Sequence, residues 1–101
     1  MSVRPFHVAT LDKRRPVLVL TRELMVGRMS TVTIAPVTST VHGIATEVSV
    51  GARNGLDHEG VVKCDHIVSI PIDQLHEQCG WLFDAQEFEL HEAIRAAFDL
   101  V

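Results

Sequence analysis

Hydrophobic positions recur along this chain in short bursts with two different spacings. Phe6-His7-Val8-Ala9-Thr10 predicts a first short strand, and the polar link Leu11-Asp12-Lys13-Arg14 leads into Arg15-Pro16-Val17-Leu18-Val19-Leu20-Thr21. Together they read as a hairpin with a short, basic tip. Pro16 fixes φ and removes a donor, and β-favouring apolar residues follow, so the cations should lie at the mouth of a buried strand. Thr31 to Val37 alternates with a period of two, the mark of a half-buried strand, and Pro36 suggests an edge or a bulge in its second half. Ala45 to Val50 alternates again before the turn cluster Gly51-Ala52-Arg53-Asn54-Gly55. Val61 to Asp65 and His66 to Ile70 supply a further strand or two, and Cys79 to Phe83 a last one. Arg22 to Arg28 reads as an excursion between strands, and Pro71 to His76 permits one helical turn. The spacing then changes. Asp84 followed by Glu87 resembles a capping box, and Phe88, Leu90, Ile94, Ala97, Phe98 and Val101 recur at helical spacing.

Many short strands followed by one amphipathic C-terminal helix predict a mainly β fold with some α. The expected form is a small, strongly bent antiparallel sheet or partly open barrel, with residues 1–101 making a single domain. Hydrophobic residues make up 47% of the chain. So small a domain leaves apolar side chains outside, and a homodimer interface is the natural place for the surplus. The formal charge of -4 does not favour a polyanion, so nucleic acid would have to be held by a local patch. Cys64 and Cys79 lack the paired spacing of zinc or redox motifs, and no H-x-x-x-H supports a metal. Met1-Ser2-Val3-Arg4-Pro5 lacks the apolar core of a signal peptide, and no apolar run is long enough to span a bilayer. The expectation is a soluble, reduced, cytoplasmic protein without a membrane segment.

Candidate chemistry gathers at two strand ends. Lys13, Arg14 and Arg15 form the one basic cluster, and Thr38-Ser39-Thr40 is a hydroxyl ladder where the Thr31 strand runs out. A guanidinium matches phosphate oxygens bidentately and a threonine hydroxyl can donate a further hydrogen bond, which makes a plausible phosphate site. RNA cleavage without a metal needs a base for the 2′-hydroxyl, stabilisation of the phosphorane oxygens and a proton for the leaving 5′-oxygen. Arg15 suits the middle role and is a poor base. Six histidines make a base available, among them His66, at a strand end where the neighbouring Asp65 could orient it. A Cys64–His66 nucleophile and base is discounted, because no orienting third group is visible. Aromatic side chains for base stacking are scarce, and Trp81 fits a core position.

The run Arg15 to Thr21, then Ile34-Ala35-Pro36-Val37-Thr38-Ser39, then Gly60-Val61-Val62-Lys63-Cys64-Asp65-His66-Ile67 with Ile70-Pro71, resembles the MazF/PemK family of toxin endoribonucleases. The similarity extends to the terminal helix ending Ala93-Ile94-Arg95-Ala96-Ala97-Phe98. It implies an SH3-like barrel of the CcdB/PemK type, a homodimer, no cofactor, and metal-independent cleavage of single-stranded RNA to 2′,3′-cyclic phosphate and 5′-hydroxyl ends. It also implies a cognate antitoxin whose disordered acidic tail occupies the RNA groove. The family's arginine before proline falls on Arg15 and its threonine ending the central strand on Thr38. His66 falls where relatives often carry a glutamine near the RNA. Lys13, Arg14, Ser39 and Thr40 are the further expected RNA contacts. Two departures are visible: the link Leu11 to Arg14 lacks a longer segment with an acidic residue, and Val68 replaces an arginine. The alternative is a non-catalytic binding module on the same barrel, either a toxin against a protein target such as a topoisomerase or an antitoxin-binding homologue.

Overall fold

The computed structural model describes residues 4–101; residues 1–3, part of the stretch read for a signal peptide, lie outside the described residues. Its strands are β1 Arg4–Thr10, β2 Arg14–Val19, β3 Thr31–Thr38, β4 Glu47–Val50, β5 Gly60–Lys63, β6 Val68–Pro71 and β7 Leu75–Leu82, followed by the helix α1 Asp84–Ala97. They form one curled antiparallel sheet in the order β4-β5-β3-β2-β1-β7, with β6 also on β3. The expected mainly β architecture with a C-terminal helix is what forms.

The uninterrupted apolar run of β2 has a simple cause. Leu18 packs with Phe6, Val62, Leu82 and Leu90 in a core under α1, while Val17 and Val19 face a second core with Ala9, Val32, Ile34 and Ile70. Successive strand residues point to opposite faces, so a strand buried on both must be apolar at every position. Leu18 is fully buried, and truncating such a side chain to alanine costs about 2–5 kcal/mol.

Pro36 does not mark an edge. β3 is an inner strand, and it changes partner along its length: Thr31 to Ile34 pair with β6, and Val37 and Thr38 pair with β5. Pro36 falls in the step between the two ladders, where a missing N–H costs least. Single turns of 3-10 helix occur at Glu23–Met25, Ala52–Asn54, Cys64–His66 and Ile72–Gln74. The third places His66 in a turn rather than in a strand. β7 begins at Leu75, earlier than the expected strand.

Helix α1 departs from its expected cap. The Phe83 N–H donates to Gln86 Oε1 at 3.0 Å, so the chain closes the first turn one residue before Asp84. Glu87 instead forms an ion pair with Arg4 at 2.6 Å. Leu90 and Ala93 are buried, with Ile94 and Ala97 packed beside them. These positions make one stripe, whereas Phe88 lies roughly 200° around the helix from Leu90 at 3.6 residues per turn. Phe88 accordingly faces outward, 71% exposed, and Phe98, just past the end of the helix, is 54% exposed.

Candidate active site

The hairpin and the central strand bring the two expected groups together. β2 and β3 pair Val17 with Pro36 and Leu18 with Ala35, and the same register carried past Val17 sets Arg15 opposite Thr38. The Arg15 side chain is 23% exposed, and its Nη2 donates to Asp12 Oδ2 at 3.0 Å. Its Nε is buried and has no acceptor among the described residues. The Thr38 hydroxyl accepts the Thr40 N–H at 3.2 Å, which turns the chain out of the strand. Gly60 sits against the Thr38 carbonyl, so close that a Cβ there would stand 2.3 Å from the oxygen. Bare backbone at Gly60 is what lets β5 reach the end of β3.

Two clefts open on either side of this pair. The first, about 320 Å³, is lined by Lys13 and Ser39 on one wall and by Asp57, His58 and Glu59 on the other. The second, about 220 Å³, is lined by Thr40, His42, Lys63 and His66. Among the described residues, Arg15 and Thr38 alone line both. A phosphate held by this pair would therefore place the groups on its two sides in separate clefts. Among the described residues no three metal-ligating side chains converge.

The wall of the second cleft is fixed electrostatically. Lys63 Nζ lies 3.2 Å from Glu47 Oε2, and these side chains are 11% and 3% exposed. The same carboxylate accepts the N–H groups of His42 at 3.1 Å, Gly43 at 2.8 Å and Ile44 at 3.4 Å. Burial works against its ionisation, but Lys63 and the three N–H groups outweigh it and hold the carboxyl below its ordinary range.

Lys13 and Ser39 line the first cleft, and Thr40 and His66 the second, beside Arg15 and Thr38. Arg14 does not. It follows Lys13 on the strand face opposite Arg15 and pairs with Glu77 at 3.2 Å, both side chains well exposed. Adjacent strand residues point apart, so a basic cluster in sequence is divided between two faces. Asp65 does not orient His66; its carboxylate takes the Thr46 hydroxyl. Cys64 is fully buried and burial pushes its thiol up to about 11, in line with its exclusion as a nucleophile. Asp12, His42, His58 and Lys63 escaped the sequence reading. The short link does supply a carboxylate, and Asp12 at i−3 from Arg15 was the available signal.

Residues 4–98 match the family described as the PemK-like, MazF-like toxin of type II toxin–antitoxin systems. The chain belongs to this family. Endoribonuclease MazF3 of Mycobacterium tuberculosis is 53% identical over 98 residues, covering 97% of this chain and 95% of its own. The solved structure of Mycobacterium tuberculosis toxin MazF-mt6 superposes with a TM-score of 0.94 at 53% identity, covering 97% of this chain and 99% of that one. A mycobacterial endoribonuclease in complex with its cognate antitoxin shares the fold at a TM-score of 0.85 and 22% identity, over 96% and 93% of the two chains. Among the described residues of this PemK-like chain, no helix is long and apolar enough to cross a membrane.

Proposed function

We propose that this chain is the endoribonuclease toxin of a toxin–antitoxin pair, cleaving single-stranded RNA without a metal in the cytoplasm. The observation that carries the reading is the Arg15–Thr38 pair standing between two clefts. The 2′-oxygen attacks phosphorus and gives up its proton, the bond to the 5′-oxygen breaks, and a 2′,3′-cyclic phosphate and a 5′-hydroxyl remain. Arg15 meets the charge that grows on the phosphorane oxygens with the guanidinium it presents to the clefts, and the Thr38 hydroxyl adds a hydrogen bond. His66, in the second cleft, accepts the 2′-proton. Lys13, Ser39 and Thr40 contact the strand on either side. An acidic antitoxin tail would be held by the same cations. Outward-facing Leu24, Phe88 and Phe98 support a homodimer that covers part of this apolar surface.

The test is cleavage of a mixed RNA pool by purified protein in excess EDTA, wild type beside Arg15→Ala, with the new ends mapped. Wild type should cut and leave cyclic phosphate ends, and Arg15→Ala should be slower by about 10²-fold or more. Absence of cleavage by a folded wild type would leave the binding-module reading in its place.

A further inference from the structure

We infer that His58 is the general acid of this reaction, protonating the 5′-oxygen as it leaves. The inference rests on the nuclease reading above and adds a residue to it. In an in-line displacement at phosphorus the entering and leaving oxygens stand on opposite sides of the atom. If Arg15 and Thr38 hold the phosphoryl oxygens, the group that takes the 2′-proton and the group that supplies the 5′-proton must come from different sides. Two separate clefts that share Arg15 and Thr38 offer such a pair of groups, for each carries imidazole: His66 in the second, His58 in the first.

The other side chains lining the first cleft do not suit a proton donor. Among them Lys13 and Arg15 carry side chains of types that release protons only at high pH, and Asp57 and Glu59 are of the carboxylate type, which accepts. Burial raises the Cys79 thiol, with the charges of Glu77 and Asp57 adding to it. Imidazole is the side chain that exchanges a proton near neutrality. The segment carrying His58 is also held in place. Leu56 before it is buried in the core under α1. Glu59 after it accepts the Ala52 N–H at 2.8 Å, and Gly60 is packed on the Thr38 carbonyl. These anchors hold the backbone on both sides of His58, whose own side chain is exposed at the cleft.

The bonds balance simply. The phosphorus–O5′ electron pair stays on oxygen, the His58 proton joins it, and the 2′-proton carried away by His66 restores the overall count. The released histidine regains its proton from solvent.

The test uses an oligonucleotide with a single ribonucleotide at the site that wild type cuts, made with oxygen or with sulfur at the 5′-bridging position. A thiolate leaves without protonation, so the sulfur substrate has no need of an acid. His58→Ala and His58→Gln, checked for unchanged thermal unfolding, should cut the oxygen substrate about 10²–10³-fold more slowly than wild type. Both should cut the sulfur substrate near the wild-type rate. Equal cleavage of the oxygen substrate by wild type and variants overturns the inference and leaves the nuclease reading intact. Equal slowing on both substrates also overturns it, since the residue would then act in binding or folding. Failure of wild type on both substrates removes the nuclease reading and the inference together.

Discussion

Arg15 and Asp12 are joined across the hairpin tip, with Nη2 3.0 Å from Oδ2. Asp12 is 72% exposed, so the pair adds little to stability, on the order of 0–1 kcal/mol. Its effect lies in where it holds the guanidinium. Asp12→Asn should leave the melting temperature nearly unchanged and lower kcat by about tenfold or more, the equivalent of about 1.4 kcal/mol in positioning. Thermal unfolding and single-turnover cleavage, measured on the same preparation, check both halves. A large loss of stability with kcat intact would remove the positioning role.

Gly60 makes a different demand on the site. A methyl group there would meet the Thr38 carbonyl oxygen at 2.3 Å and the Ser39 Cα at 3.3 Å. Both are backbone, so neither can turn aside as a flexible side chain would. Gly60→Ala should therefore destabilise the fold by about 1–3 kcal/mol and displace Thr38, giving a lower denaturation midpoint together with a fall in cleavage. If urea titration and activity both match wild type, β5 does not need this close approach.

Much of this was legible in the sequence because two spacings carry it. Thr31 to Val37 has the period of a strand, Leu90 to Ala97 that of a helix, and an arginine ahead of Pro16 at a strand mouth announces a fixed cation. What was hidden depends on facing and on distant partners. Arg14 and Arg15 are neighbours in the chain, yet only Arg15 reaches the clefts. Phe88 is hydrophobic and near the helical spacing, but its angle turns it to solvent. His58 had no local signal that set it apart from the other histidines. Only the folding of the Leu56–Glu59 segment brings it to a cleft that Thr38 also lines.

Glu47 predicts a pH response with a definite sign. Its folded carboxyl is held below the ordinary value near 4.5, because Lys63 and the N–H groups of the preceding loop, His42 to Ile44, overcome the cost of burial. The unfolded chain takes up a proton first as pH falls. The stabilisation from Glu47 is therefore present above the unfolded value and is lost as pH falls through the folded one. Melting temperatures should decline more steeply below about pH 4.5 for wild type than for Glu47→Gln, which is less stable at neutrality and lacks this titration. Parallel curves for the two proteins would mean that another carboxylate governs the acid limb.

The buried amides of Asn54 and Gln86 predict the largest loss of stability. Gln86 is fully buried and Asn54 nearly so. Asn54 Nδ2 donates to Gln86 Oε1 at 2.7 Å and to the Trp81 carbonyl at 2.8 Å, and Gln86 Nε2 donates to the Ser49 carbonyl at 3.1 Å. With the Phe83 N–H on Gln86 Oε1 and the Gly51 N–H on Asn54 Oδ1, the pair ties β4, the 51–55 turn, the end of β7 and the start of α1 together. Gln86→Leu keeps the volume but strands several of these groups, at about 1–3 kcal/mol for each left without a partner. The expected cost is several kcal/mol by chemical denaturation. Because the two side chains bond each other, Asn54→Ala with Gln86→Leu should cost less than the two single changes added, by about 0.5–3 kcal/mol in a double-mutant cycle. Strict additivity would show that the two amides act separately, each bound to its own backbone partners.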